Sequence, residues 1–228
     1  NKMGAQITGH GSSVITIDGV PQLHGAEHTI TSDHTEAGSF LALAAATGGS
    51  ITVTDTEAEH YRMLKRDMAQ LGISIVVEKD NVLLPREQSR RVVPDATGGI
   101  PVIDDGPWPH FPSDLMSVML VLATQLQGTT LFFEKMYESR MYFVDRLIAM
   151  GANAVICDPH RVVISGPASL HSIDLNSPDI RAGIALLGAA LCARGVSRIY
   201  GIEQIERGYE NIESKLQQLG AQIERKCT

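Results

Sequence analysis

The sequence predicts a mixed α/β protein assembled from a repeated β-α-β-α-β-β unit, and three observations carry that prediction. A helix end, a glycine turn and a strand recur four times along the chain. An acidic residue, an Ala/Leu-rich helix, a glycine and a β-branched strand recur three times, so the merged unit is about 70 residues long. The composition is 43% hydrophobic but only 5% aromatic, which calls for an aliphatic core with small-residue helices inside and sheets facing outward.

The glycine pattern reads Lys2-Met3-Gly4-Ala5-Gln6-Ile7, Gln70-Leu71-Gly72-Ile73-Ser74-Ile75, Ala149-Met150-Gly151-Ala152-Asn153-Ala154 and Gln218-Leu219-Gly220-Ala221-Gln222-Ile223. Each glycine stands where a helix would end in a left-handed residue, and alternation suited to a strand follows in most copies. The acidic pattern predicts helices over Glu36–Thr47, Asp114–Gln125 and Asp179–Arg194, marked by Asp33, Asp114 and Asp179. Strands are expected at Ser50–Val53, Thr129–Phe133 and Ser197–Tyr200. Glu57–Leu71 reads as an amphipathic helix with Tyr61, Leu64, Met68 and Leu71 on its apolar face. Arg90–Pro112, rich in Pro and Gly, reads as one long loop whose last part, Pro107–Pro112, is held extended by its prolines. Ser113 is the expected N-cap of the helix that follows. The first glycine copy has no helix before it, so the chain is read as a piece of a longer protein, with a domain boundary near Thr31.

Lys+Arg 19 against Asp+Glu 26 gives a net charge of −7, which argues against nucleic acid and anionic membrane as partners. No apolar run approaches the roughly 20 residues of a spanning helix. Cys157, Cys192 and Cys227 are odd in number and widely spaced, as expected for reduced thiols in a cytoplasmic protein. Cys192 reads as core. Neither the cysteines nor the histidines show metal-ligand spacing, and no phosphate-binding glycine loop appears, so no metal or cofactor is expected.

Four residues stand at matching places in the repeats, at helix beginnings or the loops before them: Asp114, Arg140, Arg181 and Arg207. Asp114 fits two readings, a first-turn acid suited to the helix dipole or a general base fixed at a helix mouth by a proline-stiffened loop. Cations are unfavourable at helix N-termini, so three arginines there suggest a site for a ligand carrying both a carboxylate and a phosphate. The plainer alternative pairs Arg140 with Glu138, Arg181 with Asp179, and Arg207 with Glu206 or Glu210. His110, inside the proline-rich loop, is a candidate ligand contact.

Pro109-His110-Phe111-Pro112-Ser113-Asp114, Glu138-Ser139-Arg140, Asp179-Ile180-Arg181-Ala182-Gly183 and Glu206-Arg207-Gly208-Tyr209-Glu210 together resemble the UDP-N-acetylglucosamine enolpyruvyl transferases, as does Asp33-His34-Thr35-Glu36-Ala37-Gly38-Ser39-Phe40. The similarity runs in order from Asn1 to about Arg225. It implies an inside-out α/β barrel of two domains, with residues 1–31 the tail of the first and 32–228 the second, and with the amino-terminal half of the same enzyme outside this chain. It implies transfer of enolpyruvyl from phosphoenolpyruvate to the 3′-hydroxyl of UDP-N-acetylglucosamine, the first committed step of peptidoglycan synthesis. Carried over residue by residue, Asp114 would be the base near the sugar hydroxyl. Arg140 and Arg181 would hold the phosphoenolpyruvate carboxylate, Arg207 its phosphate, and Met136 would lie near the sugar. None of the three cysteines matches the family's reactive cysteine. His34 stands where the family usually has Arg, and Ser113 and Ser139 replace Thr and Asn. Two alternatives stay open: the sister enzyme 5-enolpyruvylshikimate-3-phosphate synthase, and a non-catalytic ligand-binding paralogue.

Overall fold

The computed structural model describes residues 1–226, so Cys227 lies outside the described residues. It divides into two compact units, Asn1–Ser32 and the chain from Asp33 onward. The first unit is a small antiparallel hairpin of β1 (Gln6–Thr8) and β2 (Thr16–Asp18).

In chain order the second unit contains α1 (His34–Thr47), β3 (Ile51–Val53), α2 (Arg62–Gln70), β4 (Val76–Glu78), β5 (Asn81–Leu84), β6 (Val102–Asp104), α3 (Met116–Thr124), β7 (Gly128–Phe133) and α4 (Val144–Ala149). It continues with β8 (Asn153–Asp158), β9 (Arg161–Gly166), β10 (Asp174–Asn176), α5 (Ile180–Cys192), β11 (Arg198–Tyr200), α6 (Glu203–Glu206) and α7 (Ile212–Gln218). Mixed α/β architecture follows, with three sheets. β3-β5-β4 is antiparallel, β6-β7-β9-β8 pairs β6 parallel to β7 and the rest antiparallel, and β10-β11 is a parallel pair.

The expected helices α1, α3 and α5 pack on one another at the centre. Every residue of α3 is buried, which accounts for a sequence that is apolar on all sides. Close approach is made by the small residues. A Cβ on Gly38 of α1 would stand 2.7 Å from Leu115 Cδ1, and one on Gly188 of α5 would stand 3.3 Å from Leu43 Cδ1. The sheets keep an outer face in solvent, as Val155 of β8 shows at 59% exposure.

The glycine turns adopt the left-handed backbone the pattern requires, with φ of 92° at Gly4, 73° at Gly72, 101° at Gly151 and 94° at Gly220. A strand follows Gly4 and Gly151 closely. After Gly72 the strand starts only at Val76, because the Gln88 side chain occupies the backbone N–H (2.6 Å) and C=O (3.0 Å) of Ser74. After Gly220, no strand forms among the described residues.

Three expectations are corrected. Arg90–Pro112 is not one loop: Arg91 bridges to Gln127 and β6 joins the central sheet. Arg90 itself is a double helix cap, donating to Ala45 O (2.6 Å) and Ala46 O (3.2 Å) at the end of α1 and to Gln125 O (3.3 Å) after α3. Pro107–Pro112 is not extended throughout: His110 N–H donates to Pro107 O at 3.0 Å, and the Trp108–Pro109 peptide is cis. The Glu57–Leu71 helix begins as a 3-10 turn at Ala58–Tyr61 before α2.

Candidate active site

The acidic marks before α1 and α5 are true caps. Asp33 Oδ1 accepts from the N–H of Thr35 (2.8 Å) and Glu36 (3.3 Å), and Asp179 Oδ1 from Arg181 (2.7 Å) and Ala182 (2.9 Å). Asp114 differs. It lies inside a 3-10 turn, Ser113–Leu115, and its side chain caps nothing. Nor is Ser113 the N-cap: its hydroxyl donates instead to Glu134, 2.8 Å from each carboxylate oxygen.

The Asp114 carboxylate is free to face two arginines that come from distant parts of the chain. Oδ1 accepts from Arg140 Nη1 at 2.9 Å and Oδ2 from Arg181 Nη2 at 2.5 Å. Arg140 also donates to Ser113 O at 3.3 Å and lies over the Tyr137 ring at 4.6 Å. Arg181 is the second residue of α5; its Nη1 reaches Tyr209 Oη at 3.5 Å, and Ser117 Oγ donates to Arg181 O at 2.8 Å. Tyr209 is fully buried and meets Ser39 Oγ of α1 at 2.8 Å. The neighbouring-acid pairings expected for Arg140 and Arg181 do not form, since Asp179 is occupied as a cap and Arg140 turns to Asp114.

Charge balance follows from this geometry. Partial burial pushes the Asp114 carboxyl up, but the bonds from Arg140 and Arg181 outweigh it and hold the group below the usual carboxylate range. Both guanidiniums are mostly covered, at 18% and 21% side-chain exposure, while the carboxylate is 37% exposed. The cluster therefore opens to solvent through Asp114.

Arg207 stands elsewhere in the local geometry. It is exposed at the C-terminal end of α6, where a cation is favourable, and bonds Gln204 Oε1 at 3.4 Å. Its expected partner Glu206 pairs with Arg225. Arg207 is tied to the cluster only through its own turn, since Tyr209 two residues on meets Arg181. Met136 is 42% exposed on the loop that carries Arg140. His110 lies beside a different acid: its Nε2 is 4.0 Å from Asp104 Oδ1.

Several residues of this region escaped the sequence reading. Glu134, fully buried, accepts from Ser113 Oγ and from the N–H of Met136 and Tyr137, both at 3.1 Å. An acid directly after the apolar run Leu131-Phe132-Phe133 was the available signal. His34, His60 and Trp108 form an aromatic cluster with ring centroids 5.0, 6.0 and 5.6 Å apart. Burial, then the neighbouring His60, hold His34 below the usual histidine range against the pull of Asp33 and Asp114. Burial lifts the Cys192 thiol to about 11, consistent with an inert core cysteine.

On an α/β scaffold of repeated units, one carboxylate is thus shared by two arginines, an arrangement suited to receiving an anionic ligand. The chain belongs to the EPSP synthase (3-phosphoshikimate 1-carboxyvinyltransferase) family, whose model matches residues 1–216. Among curated relatives it is 53% identical over 226 residues to the UDP-N-acetylglucosamine 1-carboxyvinyltransferase of Treponema denticola, covering 99% of this chain and 53% of that protein. The protein of the same name from Borreliella burgdorferi is 50% identical over 225 residues, covering 99% and 53%. The chain thus spans about half the length of the curated relatives it matches. Among solved structures, the enolpyruvyl transferase NikO from Streptomyces tendae shares the fold at a TM-score of 0.83 and 23% identity, covering 98% of this chain and 52% of that one. EPSP synthase from Acinetobacter baumannii follows at 0.75 and 18%, covering 99% and 54%.

Proposed function

We propose that this chain forms one wall of the active site of an enolpyruvyl transferase that moves enolpyruvyl from phosphoenolpyruvate to the 3′-hydroxyl of UDP-N-acetylglucosamine and releases phosphate, in the cytoplasm, as the first committed step of peptidoglycan synthesis. The observation that carries the reading is the Asp114 carboxylate held between Arg140 and Arg181. In this reading Asp114 stands in for the substrate anion while the site is empty. An arriving carboxylate draws the two guanidiniums to itself, and Asp114 loses the partners that keep it a weak base. Its affinity for a proton then rises just when the sugar hydroxyl needs a base. The oxygen of that hydroxyl bonds to C2 of the enolpyruvyl group, the bond from C2 to the phosphate oxygen breaks, and the hydroxyl proton leaves to Asp114.

Arg207 would meet the phosphate, Met136 would border the sugar, and His110 would be a ligand contact. The architecture read here is the inside-out α/β barrel, with residues 1–31 the tail of a first domain and 32–228 the second. The facing wall of the cleft would come from outside this chain, and closure would expel water around the arginines. The relatives near 50% identity carry the UDP-sugar name, whereas the solved EPSP synthase stands at 18%, which favours the UDP-sugar over shikimate 3-phosphate as acceptor.

The test is phosphate release from phosphoenolpyruvate. A full-length protein containing this chain is expected to turn over with UDP-N-acetylglucosamine and not with shikimate 3-phosphate, and residues 1–228 alone are expected to be inactive. Turnover with shikimate 3-phosphate, or robust turnover by residues 1–228 alone, would overturn the reading.

A further inference from the structure

The Glu134 carboxyl is fully buried and is hydrogen-bonded to the hydroxyl of Ser113, the neighbour of Asp114. Five groups converge on it from three segments. Ser113 Oγ, beside Asp114, donates to it at 2.8 Å, and the N–H groups of Met136 and Tyr137 donate to Oε1 at 3.1 Å. Arg140 Nε stands 3.9 Å from Oε2. From the end of β6 the carboxyl of Asp105, 1% exposed, lies against it. Asp105 Oδ1 accepts from Lys135 N–H at 2.5 Å, while its buried Oδ2 has no donor among the described residues. Two buried carboxyls side by side, one with an oxygen lacking a donor, require a proton between them.

We propose that Glu134 is a positioning residue: together with Asp105 it forms a proton-sharing carboxyl pair that clamps the Ser113–Asp114 turn to the 134–140 loop and thereby sets the distance between Asp114 and Arg140. The proton sits on Glu134 and is donated to Asp105 Oδ2. Burial first, and Asp105 beside it, push the Glu134 carboxyl up to about 7. When the proton is lost, two adjacent anions repel, and Arg140, already near Glu134, is drawn from Asp114 toward the new charge. The inference rests on reading Asp114 and Arg140 as substrate groups, but the clamp itself is a property of the empty protein. The charged groups bearing on Glu134 are Asp105 and Arg140. His160 touches only its backbone, through Nδ1 and Glu134 O at 2.8 Å.

The experiment uses this chain with isotope-labelled carboxyl carbons and arginine nitrogens, followed by NMR across pH. One glutamate carboxyl is expected to titrate near 7, to vanish from the spectrum in Glu134→Gln, and to move back toward the ordinary range in Asp105→Asn, whose amide replaces the shared proton. The Arg140 Nε–H resonance is expected to shift with the same midpoint, to shift permanently in Glu134→Ala, and to hold its low-pH position in Glu134→Gln, which mimics the protonated acid. Titration of Glu134 in the ordinary carboxylate range, or an Arg140 resonance indifferent to both substitutions, would overturn the clamp. In a full-length protein containing this chain, with phosphoenolpyruvate as probe, Glu134→Ala is expected to weaken binding about tenfold or more, as small misplacements of binding groups do, and Glu134→Gln to weaken it less. If the unmodified protein fails to bind phosphoenolpyruvate, the reading of the site falls while the resonance measurements still decide the clamp.

Discussion

Arg181 Nη2 lies 2.5 Å from Asp114 Oδ2, joining the first turn of α5 to the turn before α3 across 67 residues of chain. With Arg140 on the other oxygen, the carboxylate is shared by two cations. Replacement by Asp114→Asn removes both the proposed base and the charge that organises the arginines. Turnover of the full-length protein is expected to fall by about 10²- to 10⁴-fold, the usual contribution of a general base. Because the carboxylate is more than a third exposed, the melting temperature is expected to change little. Steady-state kinetics and thermal unfolding of the same preparation check both halves of the statement.

Lysine cannot replace Arg140. Its guanidinium meets Asp114, the Ser113 carbonyl and the Tyr137 ring at once, a fan of contacts a point-like ammonium does not make. Arg140→Lys is expected to raise the KM for phosphoenolpyruvate by about tenfold or more, the scale of a lost charge-assisted hydrogen bond. Calorimetric titration with phosphoenolpyruvate gives the same comparison without turnover.

Stability should also respond to pH through Glu134. Its folded carboxyl is raised from 4.5 to about 7, so its protonation favours the folded state. That contribution is fully present below the unfolded value and fades as pH rises through about 7. Glu134→Gln is expected to gain stability relative to the unmodified protein as pH moves from 5 toward 8, and melting curves at stepped pH would reveal a divergence there. Parallel curves would mean that Glu134 is an ordinary carboxylate.

Arg90 gives a purely structural prediction. One guanidinium satisfies carbonyls from the ends of two central helices, and Arg90→Ala takes that donor from Ala46 O and Gln125 O in a part-buried region, while Ala45 O keeps the Gly48 N–H. The expected loss is about 1–3 kcal/mol in denaturant unfolding. Gly38→Ala is expected to cost about as much, roughly 1–3 kcal/mol, since the added methyl meets Leu115.

The periodic parts of the fold were legible because they are local. A glycine that must adopt positive φ, or an acid one residue before an Ala-rich helix, carries its own explanation, and Gly72, Gly151, Asp33 and Asp179 behave accordingly. Asp114 looks identical in sequence and behaves differently, because its partners lie 26 and 67 residues away. Repeat position singled out Arg140 and Arg181 as anion-binding candidates, but it left open the plainer pairing with adjacent acids, and the resemblance supplied their roles. Glu134 and Asp105 were hard to read for the same reason: each is an acid closing an apolar strand, a faint signal by itself, and only the parallel pairing of β6 with β7 sets them together. The proline-rich loop misled in the opposite way, since stiff rings restrict each residue without forbidding the turn that His110 and Pro107 close.

Trp108 is the single tryptophan of the chain, half exposed between the rings of His34 and His60 and five residues before Ser113. The protein therefore carries its own optical reporter, set against two imidazole rings. Indole emission needs no added dye, and imidazolium quenching of it would register protonation of His34 as a change in brightness.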